Sequence, residues 1–135
     1  MYPKKIAQDT AKVIQSYLTY QAVKIIIDQL SETNPGEAIW LRQYSTGNKL
    51  QDGEAYLAEL MSERKELVVR IMTVREYLAE QILEFLPEMV STGIQQANLQ
   101  HRRQLLERMT QSQPANSTSS IDNSEPELDI DESSD

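Results

Sequence analysis

The sequence predicts an all-α protein, a small helical bundle whose C-terminal part is one long helical run. Three observations carry that reading. Apolar residues recur at three- and four-residue steps in the long segments before residue 110, the four glycines and few prolines fall at plausible helix boundaries, and no stretch alternates with a period of two.

The elements follow in order. Pro3 suits the first turn of helix 1, which is expected to run to about Ser31. Asn34-Pro35-Gly36-Glu37 is a start signal, with Asn34 as N-cap, Pro35 at the first helical position and Glu37 at the third. That second helix should stop near Gly47, a natural residue just past a helix end. Asp52 can cap a third helix through Met61, and Ser62 a fourth that runs from Glu63 towards Met109.

Helix 1 carries two apolar stripes at 100° per residue. Ala7, Ala11, Ile14, Leu18 and Ala22 form one; Ile6, Val13, Tyr17, Tyr20 and Ile27 form the other. A helix packed on a single neighbour needs one stripe, so two imply a second partner, inside the fold or outside it. Tyr17 and Tyr20 stack at i, i+3. A flat apolar ring with a hydroxyl that seeks a hydrogen bond suits a recognition surface. It equally suits a core tyrosine whose hydroxyl is satisfied, and the pattern leaves both readings open.

In the fourth helix Leu67, Ile71, Val74, Leu78, Ile82, Phe85 and Met89 make a seam of coiled-coil type, widened by Val68, Met72, Ala79, Leu83, Leu86 and Val90. Glu76, Glu80, Glu84 and Glu88 form a carboxylate row opposite, read as a solvated face. A single helix from Glu63 to Met109 would span about 70 Å, against ~35 Å for a compact domain of this size. Its protruding apolar half would call for a second copy of the chain. Pro87 removes one backbone bond and clashes with the Leu83 carbonyl, so it bends this helix or divides it in two. Arg75 lies inside the apolar half and must snorkel or find a carboxylate; a structural ion pair is expected.

All 13 Lys and Arg precede residue 110, beside 14 of the 21 acids, so residues 1–109 are close to neutral. Residues 110–135 hold seven acids and no base, with Ile121, Leu128 and Ile130 as the only large apolar residues. Such a segment cannot bury enough surface to offset its ordering entropy. The expected organisation is a helical domain over 1–109 and an acidic, disordered tail over 110–135, solubilising or partner-recruiting. No basic stripe suits nucleic acid, no apolar run approaches a membrane helix, and no cysteine is present. The expectation is a soluble cytoplasmic protein.

Catalytic chemistry is hard to assemble. His101, the one histidine, sits in His101-Arg102-Arg103 near a helix end, where positive charge complements the helix dipole. The carboxylate row lacks the Glu-x-x-His pairs of a di-metal bundle, and there is no Gly-rich phosphate loop. A protein that is not an enzyme, with no metal or cofactor, is expected.

Several strings, in order along residues 5–110, resemble the RbcX family of Rubisco assembly chaperones. They are Gln15-Ser16-Tyr17-Leu18-Thr19-Tyr20-Gln21-Ala22, Glu32-Thr33-Asn34-Pro35, Gln51-Asp52-Gly53-Glu54, Arg70-Ile71-Met72-Thr73-Val74-Arg75-Glu76, Glu84-Phe85-Leu86-Pro87-Glu88-Met89-Val90 and His101-Arg102-Arg103-Gln104-Leu105-Leu106-Glu107-Arg108-Met109-Thr110. The resemblance implies an arc-shaped homodimer with a long bent fourth helix, and an ATP-independent chaperone in the cytoplasm, with carboxysome association. It implies a central groove for the extended C-terminal peptide of the Rubisco large subunit, mapped here to Tyr17, Tyr20, Leu50 and Gln51. Leu50 stands where relatives can have other aliphatics. Contacts to the body of the large subunit map to Gln29, Glu32, Thr33, Asn34 and Arg70.

Overall fold

A computed structural model describes residues 2–111, and every regular element among them is helical. The order is α1 (Tyr2–Thr33), α2 (Pro35–Tyr44), a 3₁₀ turn (Lys49–Gln51), α3 (Gly53–Met61), α4 (Lys65–Ile82) and α5 (Leu86–Gln111). The chain divides into two units, one ending at Phe85 and one beginning at Leu86. Of the tail expected over 110–135, Thr110 and Gln111 belong to α5 instead, and residues 112–135 lie outside the described residues.

In the first unit α1 packs against α2, α3 and α4. The core joins Ala22, Val23, Ile26, Ile27 and Leu30 of α1 to Ala38 and Leu41 of α2, Tyr56, Leu57 and Leu60 of α3, and Leu67, Val68 and Ile71 of α4. Only the C-terminal half of α1 takes part. Ala7 and Ala11 of the first expected stripe are exposed and Ile14 is half-buried; coverage begins at Leu18. Ile27, expected on the second stripe with the tyrosines, belongs to the core instead. That face is open near Tyr20 and covered one turn and more further on, so a single angular rule cannot describe it.

Local chemistry sets the boundaries. The Asn34 side chain accepts the Glu37 N–H at 3.3 Å, and its Nδ2 donates to Glu37 Oε1 at 3.4 Å, with Pro35 in the first turn of α2. Asn34→Ala is expected to lower stability by about 1 kcal/mol, the usual loss for an N-cap, read as a shift in the denaturant midpoint. α2 ends at Tyr44, a little before Gly47, which adopts φ +77° in the loop beyond. A side chain at that φ would be strained. Asp52 caps α3 by accepting the Ala55 N–H at 3.1 Å.

The expectation for Ser62 is corrected. It ends α3 rather than starting α4: the N–H groups of Ser62, Glu63 and Arg64 all donate back to Glu59 or Leu60, so the chain has not left α3 before Arg64. Arg64 occupies the N-cap of α4 with no side-chain cap bond.

The choice between one helix and two after Arg64 falls on two. Leu83 still donates to Ala79 O and Phe85 to Ile82 O, both at 3.0 Å, before α5 starts. Pro87 lies in the first turn of α5, where its missing N–H leaves no bond unmade. The carboxylate row is accordingly split between α4, the turn and α5, and all four residues are exposed. α5 buries none of its residues within the chain; Met89, Ile94, Leu99, Leu105 and Leu106 are each more than half exposed.

An aromatic cluster steadies the α2–α3 connection. Trp40 and Tyr44 stack at 5.1 Å, and Tyr44 meets Tyr56 at 5.8 Å. The Lys49 ammonium lies 3.9 Å from the Tyr44 ring centre and the Arg64 guanidinium 4.1 Å from that of Trp40. The Ser45 hydroxyl donates to Leu41 O at 2.8 Å, so the 2.7 Å contact with Tyr56 has the phenol as donor.

Candidate functional site

Tyr17 and Tyr20 lie one turn apart on α1, with ring centres 6.2 Å apart and planes tilted by 38°. Between them Leu18 and Thr19 are buried, yet the two rings remain 58% and 41% exposed. Helix geometry explains the contrast: 18 and 19 face the core, and 17 and 20 flank that face. The reading in which both tyrosines are core residues is thereby excluded for the single chain. The Lys24 ammonium stands 5.4 Å from the Tyr20 ring centre.

A second wall rises from the segment after α2. Ser45, Gly47, Asn48, Leu50 and Gln51 join Ser16, Tyr17 and Tyr20 around a pocket of about 340 Å³. Leu50 is half-buried and Gln51 exposed. The pocket shares Ser16 and Gln51 with a neighbouring hollow of about 500 Å³ that includes Lys12, Val13 and Asp52. That hollow shares Gln15 and Glu54 with another of about 630 Å³, which reaches Leu18, Met72 and Arg75. The result is a discontinuous trough along α1, apolar on its floor and amide-lined at its edge.

Gly53 fixes the distance between the walls. Its N–H donates to Ser16 Oγ at 3.0 Å, tying the start of α3 to the residue beside Tyr17. A Cβ there would lie 2.8 Å from Thr19 Oγ1 and 3.2 Å from Ser16 Cα, closer than carbon tolerates. Thr19 cannot step aside freely: it is fully buried, its Oγ1 donates to Gln15 O at 2.8 Å, and it accepts from Arg75 Nη1 at 2.9 Å. Arg75 also grips both oxygens of Glu54, at 2.6 and 3.1 Å. This is the ion pair expected for Arg75, and its forked geometry locks α4 to the N-terminus of α3.

Behind the pocket, burial pushes the Tyr44 phenol up to about 12, with the Glu59 carboxylate adding to the effect. The Tyr44 hydroxyl has no hydrogen bond of ordinary geometry among the described residues, although Glu59 is near enough to act on it. Burial also raises Tyr56. A phenol is already neutral near pH 7 and both shifts move it further from ionising, so these groups build the wall rather than exchange protons. Exposed rings, Leu50 and the Gln51 amide can bury apolar side chains and hydrogen-bond an extended backbone.

The other expected residues lie along a different surface. Arg70 Nη2 donates to Gln29 Oε1 at 2.7 Å, joining α4 to α1. Thr33 Oγ1 donates to Gln29 O at 3.1 Å, Asn34 is engaged as the α2 cap, and Glu32 is exposed. The structure thus brings Gln29 and Arg70 together, although 41 residues separate them in sequence. Sequence reasoning missed Ser16, Ser45, Gly47 and Asn48 as groove residues; the only available signal was the pairing of Ser16 with the adjacent Tyr17. Among the described residues no cluster of His, Cys, Asp or Glu could hold a metal, and no helix is long and apolar enough to cross a membrane.

The chain is similar to known proteins over most of its length. The family described as RbcX protein matches residues 1–111. A RuBisCO chaperone RbcX from Anabaena sp. strain CA is 64% identical over 108 residues, covering 80% of this chain and 79% of the relative. A RuBisCO chaperone RbcX from Picosynechococcus sp. is 58% identical over 123 residues, 91% of this chain and 89% of the relative. A solved RbcX in complex with substrate superposes with a TM-score of 0.77 at 60% identity, covering 82% of this chain and 99% of that one. A match that runs through all five helices, at such identity, places the chain in the RbcX family.

Proposed function

We propose that the chain is an ATP-independent assembly chaperone that binds the extended C-terminal peptide of the Rubisco large subunit in the groove of Tyr17, Tyr20, Leu50 and Gln51. As a homodimer it steadies large-subunit dimers on the way to the octameric core. It works by binding rather than by making or breaking bonds, in the cytoplasm and in association with the carboxysome. The observation that carries this reading is the exposed tyrosine pair at the pocket, in a chain 60% identical to a relative solved with its substrate. The apolar residues of α5 that the single chain leaves exposed support the dimer. Ordering an extended client costs entropy and keeps the net affinity modest, which suits a factor that later assembly must displace.

Replacing Tyr20 by a photo-crosslinking phenylalanine analogue tests the placement. A covalent product with co-expressed large subunit, mapped to its C-terminal peptide, is expected; a product mapped only to other parts of the same client contradicts it. We further propose that Gln29, Glu32, Thr33, Asn34 and Arg70 touch the body of the large subunit. Arg70→Ala is expected to leave peptide affinity within about twofold, since surface changes distant from a hot spot have small effects. It should nevertheless reduce co-purification of whole large subunits. Equal loss of both would merge the two surfaces into one.

A further inference from the structure

We propose that Arg75 is a positioning residue for client binding: from α4 it sets the spacing of the two groove walls, through Thr19 on one and Glu54 on the other. The proposal rests on the groove reading above and concerns what holds that groove at a fixed width.

Its first support is what Arg75 holds. Thr19 lies between Tyr17 and Tyr20 on α1 and is fully buried. Leu50 and Gln51 lead through Asp52 into α3, whose second residue is Glu54. Arg75 Nη1 donates to Thr19 Oγ1 at 2.9 Å and to Glu54 Oε2 at 2.6 Å, while Nη2 donates to Glu54 Oε1 at 3.1 Å. One rigid guanidinium plane thus spans α1 and α3, and Thr19 and Glu54 cannot separate without breaking a bond. The walls also meet directly, through the Gly53 N–H and Ser16 Oγ at 3.0 Å. Ser16 and Thr19 are one helical turn apart, so two ties fix the angle between the walls as well as their distance.

The second support is the kind of ion pair this is. The Glu54 side chain is 57% exposed and that of Arg75 25%. A pair so open to water adds little to stability, and breaking it strands no buried charge. A cation that needed only solvation could extend past α3 to water. Glu76 lines the same hollow, yet the fork closes on Glu54 and its remaining reach goes to Thr19. That choice of partners does little for the fold and much for the geometry of the walls. Holding the groups that line a site through a supporting shell is what a binding surface requires.

The experiment is calorimetric titration of the full chain with the C-terminal peptide of the large subunit. Arg75→Met keeps the stem and removes the fork; five- to twentyfold weaker binding is expected, with the particle mass by light scattering unchanged. Arg75→Lys keeps the charge without the fork and should stay at least threefold weaker than the wild type. Ile26→Val deletes a buried methyl group from the core, lowers Tm, and should leave peptide affinity within twofold. Thr19→Val closes a double-mutant cycle: its cost in affinity should shrink at least threefold in the Arg75→Met background. Additive losses would mean that Arg75 touches the client itself, and a loss shared by Ile26→Val would mean general softening. A changed particle mass would assign the effect to assembly. Each of these results, like an affinity of Arg75→Met within twofold of the wild type, overturns the proposal. If the wild type takes no client, the groove reading fails by itself. Amide exchange then decides: protection of the Gly53 and Gln51 N–H groups should drop about tenfold in Arg75→Met, and unchanged protection contradicts the role assigned to Arg75.

Discussion

Tyr17→Ala should reduce affinity for the C-terminal peptide of the large subunit by at least about 30-fold, the range for truncating an aromatic anchor at the centre of a contact. The fold should hardly notice. The ring is more than half exposed and leaves no cavity inside the chain, so stability should change by less than ~0.5 kcal/mol. Calorimetry and a thermal melt on the same preparation separate the two effects. The competing picture, a structural adaptor with both tyrosines packed away, requires the opposite pattern. A core truncation of ~3 kcal/mol would lower Tm by about 10 °C or more. A large fall in Tm without loss of peptide would therefore return the tyrosines to a structural role.

Gly53→Ala should cost about 2 kcal/mol, as over-packing of a closed contact does, and lower Tm by roughly 8 °C. Alanine is the better helix former by up to ~1 kcal/mol in a helix interior, so propensity alone would give the opposite sign. At the first residue of α3 that gain is outweighed, because the new Cβ meets Thr19 Oγ1 at 2.8 Å. Thr19 is held by Gln15 and Arg75, and the backbone of Ser16 blocks the other side. The strain has to be relieved by moving the start of α3, and Leu50 and Gln51 join it through its cap, Asp52. Peptide affinity should fall with stability. Ser16→Ala offers a milder comparison: it removes the bond to the Gly53 N–H without adding bulk, and about 1 kcal/mol is expected.

Much of this was legible in the sequence where a feature is local. Asn34 and Asp52 were readable as caps because capping needs only a side-chain oxygen and an N–H three residues on. Arg75 announced its ion pair because a charge in an apolar half-helix has few alternatives. Ser62 misled because its propensity fits an N-cap, whereas three backbone bonds hold residues 62–64 in the last turn of α3. Ile27 misled because periodicity cannot tell which part of a 32-residue helix its neighbours cover. The second wall of the groove was opaque for a related reason. Periodicity puts Tyr17 and Tyr20 on one stripe of α1 without telling whether it is covered, and only tertiary packing through Gly53 sets Leu50 and Gln51 opposite them. The collinear strings supplied those residues by resemblance, and the structure supplied the cause of their position.

The central claim is that the tyrosine pair is an open seat for an extended apolar peptide. Titrating the wild-type protein calorimetrically, at several temperatures, with the C-terminal peptide of the large subunit tests it most directly. Saturable binding with a negative heat-capacity change, the mark of apolar burial, is expected. Absence of saturable binding, or binding whose enthalpy does not vary with temperature, would contradict it.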